Sequence, residues 1–170
     1  MGLPQHDDSQ PIASTSNQTT AAPEKDASTL PPEALALATK LFDFARQGQT
    51  PELQQYLSAG IPVNLTNHKG DTLIMLAAYH GHVETVRVLL DRGADVDVLN
   101  ERGQSPIAGA VFKGYEDVVR ALVEGGADLR AGQPSAVDCA VMFRREGLLE
   151  LFSQVEEERG VEVEVEAGDG

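Results

Sequence analysis

Gly70-Asp71-Thr72-Leu73-Ile74-Met75-Leu76-Ala77-Ala78-Tyr79-His80-Gly81-His82, followed by Val86-Arg87-Val88-Leu89-Leu90-Asp91-Arg92-Gly93-Ala94-Asp95-Val96-Asp97, returns in altered form 33 residues later. Gly70, Gly81 and Gly93 map onto Gly103, Gly114 and Gly126. Thr72 maps onto Ser105, Ala77 onto Ala110, Val86 onto Val119, Leu89 onto Leu122, and Ala94-Asp95 onto Ala127-Asp128. A fixed period of about 20 to 50 residues marks a supersecondary unit that cannot bury its apolar face alone and must stack on neighbours. The same interval backwards reaches Gly48, Leu53, Tyr56, Leu57 and Gly60; forwards it reaches Gly147 and Phe152. Four units follow, at about 34–66, 67–99, 100–132 and 133–155.

Local chemistry gives each unit two helices. Thr72 and Ser105 stand just before apolar runs, where a hydroxyl can accept from the free N–H groups of a first helix. Gly81 and Gly114 end that helix, since glycine takes positive φ at little cost and lets the chain reverse. Val86, Leu89 and Leu90, then Val119, Leu122 and Val123, recur at helical spacing in the second helix, which Gly93 and Gly126 terminate. In the first unit Thr50-Pro51-Glu52 reads as a cap, a first-turn proline and an acid at the positive helix end. Small residues at Ala77, Ala78 and Ala110 allow close helix approach. The corresponding outer positions, Phe44 and Phe143, read as core phenylalanines.

These two central units closely resemble the ankyrin repeat, whose pattern runs G-x-T-P-L-H-x-A-A-x-x-G-H, then a second helix ending in L-L and a G-A-D-V turn. Leu73 and Met75 replace the proline and histidine of T-P-L-H. The next unit keeps Pro106 but has Ala108 in the histidine's place. The resemblance implies an all-α ankyrin-repeat solenoid of about four helix-turn-helix units with atypical terminal repeats, acting as a non-catalytic protein-protein interaction module.

Composition frames this domain with two tails. The 170 residues carry a formal net charge of −14 and are 41% hydrophobic, enough for one small core. Residues 1–33, rich in Ser, Thr, Gln and Pro, read as a disordered leader without the basic start and apolar run of a secretory signal. No apolar run is long enough to span a membrane, and the expected location is the cytoplasm, the nucleus or both. Residues 156–170 hold seven acids against one base and alternate Val with Glu from Val161 to Glu166; they read as an acidic disordered tail. Such acidity disfavours nucleic acid as a partner. The lone Cys139 reads as a small buried side chain.

Enzymatic chemistry finds no motif: neither a phosphate-cradling loop nor a nucleophile elbow is present. His80 and His82 flank Gly81, yet nothing nearby in sequence completes a metal site. The expectation is no catalytic residue, no metal and no cofactor. In ankyrin proteins partners usually meet hairpin-loop tips and the exposed ends of first helices. The resemblance therefore implies a partner-binding set of Arg46, His68, Lys69, Tyr79, His80, Arg102, Phe112, Lys113 and Arg145. Arg46, Tyr79, Phe112 and Arg145 form one row, Gln47, His80, Lys113 and Glu146 the next, with Asp71, Glu101 and Gln104 as further loop-tip candidates. Aromatic and arginine side chains are enriched in binding hot spots. The ligand is expected to be a segment of another protein on the concave face, and the acidic tail could dock there intramolecularly as a tethered competitor. The alternative is an acidic escort or inhibitor that masks a basic protein partner, which salt would weaken strongly.

Overall fold

Pro31 and Pro32 preset the backbone for a helix, Pro32 at its first position and Glu33 in its first turn, and α1 (Pro32–Gln47) starts there. This is a computed structural model that describes Ala27 and residues 31–166, the stretch 161–166 by its backbone. The chain continues through α2 (Thr50–Ser58), α3 (Leu73–Tyr79), α4 (Val83–Asp91), α5 (Pro106–Lys113), α6 (Glu116–Glu124), α7 (Ala136–Met142) and α8 (Glu146–Glu166). Among the described residues there is no strand beyond a single antiparallel bridge between Thr66 and Thr72. The four first helices pack in the order α1, α3, α5, α7, and α2, α4 and α6 form a second layer behind them. The architecture is an all-α ankyrin-repeat solenoid.

Capping chemistry sets where the first helices begin. Thr72 Oγ1 accepts from the Met75 N–H and Ser105 Oγ from the Ala108 N–H, each at 3.2 Å. The missing T-P-L-H proline and histidine leave that cap intact in the second unit. Ser135 caps α7 within a reciprocal pair, accepting from the Asp138 N–H while Asp138 accepts from the Ser135 N–H. Thr50 differs from its sequence reading. It is the first residue inside α2, Gln49 takes the cap position without a side-chain bond, and the Thr50 hydroxyl meets the Thr85 hydroxyl at 2.7 Å across the stack.

The apolar periodicity becomes one continuous core. Leu41, Leu53, Leu73, Ile74, Val86, Leu89, Ile107, Val119, Leu122 and Leu148 are fully buried. Ala77, Ala78 and Ala110 let the first helices close up, as their size implies. Asn64 and Asp97, 33 residues apart, tie successive turns together by accepting from the Asp95 and Asp128 N–H groups.

The fourth unit departs from the 33-residue step. Ser105 corresponds to Ser135, 30 residues on, because the loop before α7 is three residues shorter than the one before α5. Ala110 then matches Ala140, Lys113 matches Phe143, and Gly114 matches Arg144. Arg144 adopts φ +53°, left-handed like the turn glycines, whereas Gly147 lies inside α8. Phe143 is 40% exposed and is not a core phenylalanine.

Both tails are shorter than their sequence reading. Ala27, assigned to the disordered leader, is buried against the core and donates its N–H to the Thr66 carbonyl at 2.9 Å; the other leader residues up to Leu30 lie outside the described residues. At the far end the expected disordered tail from Glu156 is a continuation of α8 to Glu166. Arg130 forms a two-pronged ion pair with Glu156, and Arg159 donates to the carbonyls of Ala127 and Val123. These contacts hold residues 156–160 against the third unit and give no support to docking of the tail in the concave face.

Two substitutions test the turn geometry. Gly48 has φ +68° and an added Cβ would come within 2.5 Å of His82 Nδ1, while Gly93, at φ +80°, has open space. Gly93→Ala should cost about 1 to 2 kcal/mol for the left-handed backbone alone, and Gly48→Ala distinctly more. Arg144→Gly should instead stabilise by about 0.5 to 1 kcal/mol. Urea unfolding midpoints at constant m-value measure all three.

Candidate partner-binding groove

Asn67 and Asn100 stand 33 residues apart at the tips of the first two hairpin loops. Each folds its own loop: Asn67 Oδ1 accepts from the Lys69 and Asp71 N–H groups, and Asn100 Oδ1 from those of Arg102 and Gln104. The loops are also tied to each other. Asn100 Nδ2 donates to Asp71 Oδ1 at 3.0 Å, Asn67 Nδ2 donates to Asp71 Oδ2 at 3.2 Å, and the Glu101 N–H donates to the Lys69 carbonyl at 3.0 Å. Asp71 is thereby engaged through both oxygens, and Lys69 and Arg102 are presented in register.

Between these loops and the first helices runs a groove of about 600 Å³. Met75 and Leu76 of α3 and Ala108 and Gly109 of α5 line it, as do seven of the nine expected partner-binding residues: Arg46, His68, Lys69, Tyr79, His80, Arg102 and Phe112. Small residues at Ala108 and Gly109 leave the space open. An added Cβ on Gly109 would lie 3.4 Å from the Tyr79 ring, so that ring rests over a position with no side chain. Tyr79 and Phe112 remain 40% and 48% exposed. Lys113 does not line the groove; its Nζ sits 5.1 Å from the Tyr79 ring centre, a cation–π arrangement that braces the ring from α5. Phe112 meets Phe143 edge-to-face at 5.2 Å.

Arg145 does not belong to this set. With the fourth unit offset by 30, it stands at the start of the second helix, equivalent to His82 and Tyr115. Its guanidinium covers Gly114, as Tyr115 covers Gly81 and His82 covers Gly48, and its buried Nε has no hydrogen-bond partner among the described residues. Glu146 likewise leaves the second row for the first turn of α8. The rows at the helix ends are therefore Arg46, Tyr79, Phe112, Met142 and Gln47, His80, Lys113, Phe143.

The histidine pair has separate duties. His82 Nε2 donates to the Arg46 carbonyl at 2.7 Å and joins two repeats. His80 is exposed at the groove edge. Desolvation, followed by the positive charges of His82, Arg46 and Lys113, holds its imidazole below the ordinary range. Among the described residues no group of three or more His, Cys, Asp or Glu is placed to hold a metal ion. None of the helices described is long and apolar enough to cross a membrane. Cys139 is 2% exposed, and burial, then the charge of Asp138, pushes its thiol up, which disfavours the thiolate that reactivity requires.

Comparison with known proteins agrees with this geometry. The family profile for ankyrin repeats (3 copies) matches residues 41–133, more than half of the sequence, and the chain belongs to the ankyrin-repeat family. An ankyrin repeat protein of Pseudomonas aeruginosa is 61% identical over 49 residues, which make up 29% of this chain and 29% of that protein. The match thus spans under a third of the relative's length. Ankyrin repeats are generally protein-protein interaction modules and typically non-catalytic.

The expected set missed Asn67, Asn100, Met75, Ala108 and Gly109. The 33-residue spacing of Asn67 and Asn100 carried the signal for the first two. Gly109 has no such signal, because Leu76 occupies the equivalent place in α3.

The depressed His80 pKa makes a signed prediction. Protonation is easier in the unfolded chain, so the folded state loses stability as pH falls through the ordinary histidine range near 6.5. Urea unfolding at about pH 7.5 and about pH 5.5 should show a smaller acid-induced loss in His80→Gln than in the native chain. Equal losses in the two proteins would remove His80 from the pH response.

Proposed function

We propose that the groove binds an extended segment of a partner protein, with Tyr79 and Phe112 as its central anchors and Arg46, His68, Lys69, His80 and Arg102 around them. One observation carries this reading: two aromatic rings at repeat-equivalent positions stand half-exposed on the edge of a single groove whose loops are locked by hydrogen bonds. A pre-organised surface loses little entropy when a ligand orders on it, and aromatic side chains give large contact area for few rotamers. Lys113 supports the anchor from behind. The identity of the partner is a matter for capture from cell extract.

Because both rings are half-exposed, Tyr79→Ala/Phe112→Ala should leave the helical circular dichroism signal close to that of the native chain, with a modest drop in the unfolding midpoint from the lost Lys113 and Phe143 contacts. Hot-spot truncations cost about 2 kcal/mol or more each, so a partner captured by the native chain should be lost to the double variant. A partner retained equally by both would place recognition on another surface.

A further inference from the structure

The helix-end rows that run along the groove and on past its end at Phe112 are chemically graded, and this gradient names the kind of segment they fit. His80 stands between two neighbouring helices whose cations reach it from both sides, Arg46 from α1 and Lys113 from α5, with His82 on the adjoining turn. The acid facing this cluster is Asp43, which pairs with Arg46 at 2.7 Å in an exposed contact and leaves the cluster with excess positive charge. At the other end the two rows turn apolar. Phe112 of α5 is followed by Met142, 64% exposed, and Phe143 stands where the preceding repeat has Lys113.

Resting on the groove reading above, we infer that the partner segment carries a carboxylate that seats among Arg46, His80 and Lys113, and a large apolar side chain five or six residues away that covers Phe112, Met142 and Phe143. The spacing comes from helix packing. First helices stack about 8 to 10 Å apart, so the His80 end of α3 and the Phe143 end of α7, two steps apart, are separated by about 16 to 20 Å. An extended chain covers that distance in five or six residues at about 3.3 Å each. The backbone between passes over Tyr79, within reach of Lys69 and Arg102 on the loops. Charge complementarity selects the acid. In a protein of net charge −14, Arg46 and Lys113 standing beside a partly desolvated histidine favour an incoming anion, and seating a carboxylate there raises the His80 pKa. The groups set around the ring are Arg46 of α1, itself paired with Asp43, Tyr79 of α3, His82 of the following turn and Lys113 of α5.

The test uses the full chain and a display library of random twelve-residue peptides. Enriched sequences should pair Asp or Glu with a large apolar residue five or six positions away. For a synthetic peptide of that kind, replacing its acid by the amide should weaken binding to the native chain about tenfold, the scale of a charge-assisted hydrogen bond. The same replacement should change nothing in Arg46→Gln/His80→Gln, while Met142→Ser/Phe143→Ser should weaken both peptides alike. NMR titration of the His80 ring should show its pKa raised in the complex. Enriched peptides that require Tyr79 and Phe112 but show no acid–apolar spacing, or an amide peptide that binds the native chain as well as the acid, would overturn this inference and leave the groove reading standing. Enrichment untouched by Tyr79→Ala/Phe112→Ala, or no enrichment at all, would overturn both.

Discussion

At Gly48, Gly81 and Gly114 the backbone turns with φ of +68°, +79° and +81°, and a side chain of the next repeat lies where a Cβ would stand: His82, Tyr115 and Arg145 in turn. The left-handed turn lets each helix pair double back, and the absent side chain lets the following pair slide into contact. Geometry within a repeat and packing between repeats are thus set at one atom position. His82 strengthens the link with its hydrogen bond to the Arg46 carbonyl, and the Thr50–Thr85 hydroxyl contact runs parallel to it. In a stack where each unit touches only its neighbours, such interface contacts carry much of the cooperativity. The positions of Arg46, Tyr79 and Phe112 follow from this packing, since each sits at the end of a helix whose turn is fixed by the next unit.

The loops add a second constraint. A hairpin tip facing water is ordinarily mobile, yet Asn67 and Asn100 bond to their own loops and, through Asp71, to each other. Asp71 serves as a hub and does not present a free anion to the groove. Its charge remains, and with Glu101 it is set against Arg46, Lys69 and Arg102 along the groove, where cations are in slight excess although the chain is strongly acidic. Lys69 and Arg102 are held at the loop tips without comparable partners among the ion pairs formed by the described residues.

Most of the fold was legible because period, caps and turn glycines all report the same unit. Thr72, Ser105, Gly81 and Gly114 each act locally, so their chemistry survives transfer from sequence to structure. The fourth unit was misread because a constant step was carried across a loop three residues shorter, and because Arg144 takes the left-handed turn that glycine marks elsewhere. That shift moved Arg145 and Phe143 in opposite directions, one away from the groove and the other onto its edge. The run after Glu156 was misread for a different reason. Alternating valine and glutamate has no helical periodicity, and the contacts that anchor residues 156–160, from Arg130 and Arg159, are tertiary. Seven of the expected residues line one groove because they sit at repeat-equivalent helix ends and loop tips; Gly109 was not among them, since it lines the groove by the absence of a side chain.

The α7 end of the stack, beyond the groove, is where packing and exposure part. A terminal repeat must present a polar outer face to water, and α8 carries Glu146, Glu150, Glu157 and Glu158 exposed. Phe143 packs edge-to-face on Phe112 of the preceding repeat, whereas Met142 beside it is 64% exposed. The preceding repeat fills the position of Phe143 with Lys113, which braces Tyr79, so a charged residue is compatible with the fold there. Burial against a fifth repeat does not occur within the described residues, and Val141, Met142 and Phe143 stay open together. Exposed single apolar side chains need no explanation, and Val141 matches the buried Val111 and Ala78 of the preceding repeats; Phe143 differs because it touches Phe112 edge-to-face. The Phe112–Phe143 contact continues the aromatic row of Tyr79 and Phe112 to the end of the stack, at a position where the preceding repeat has a lysine.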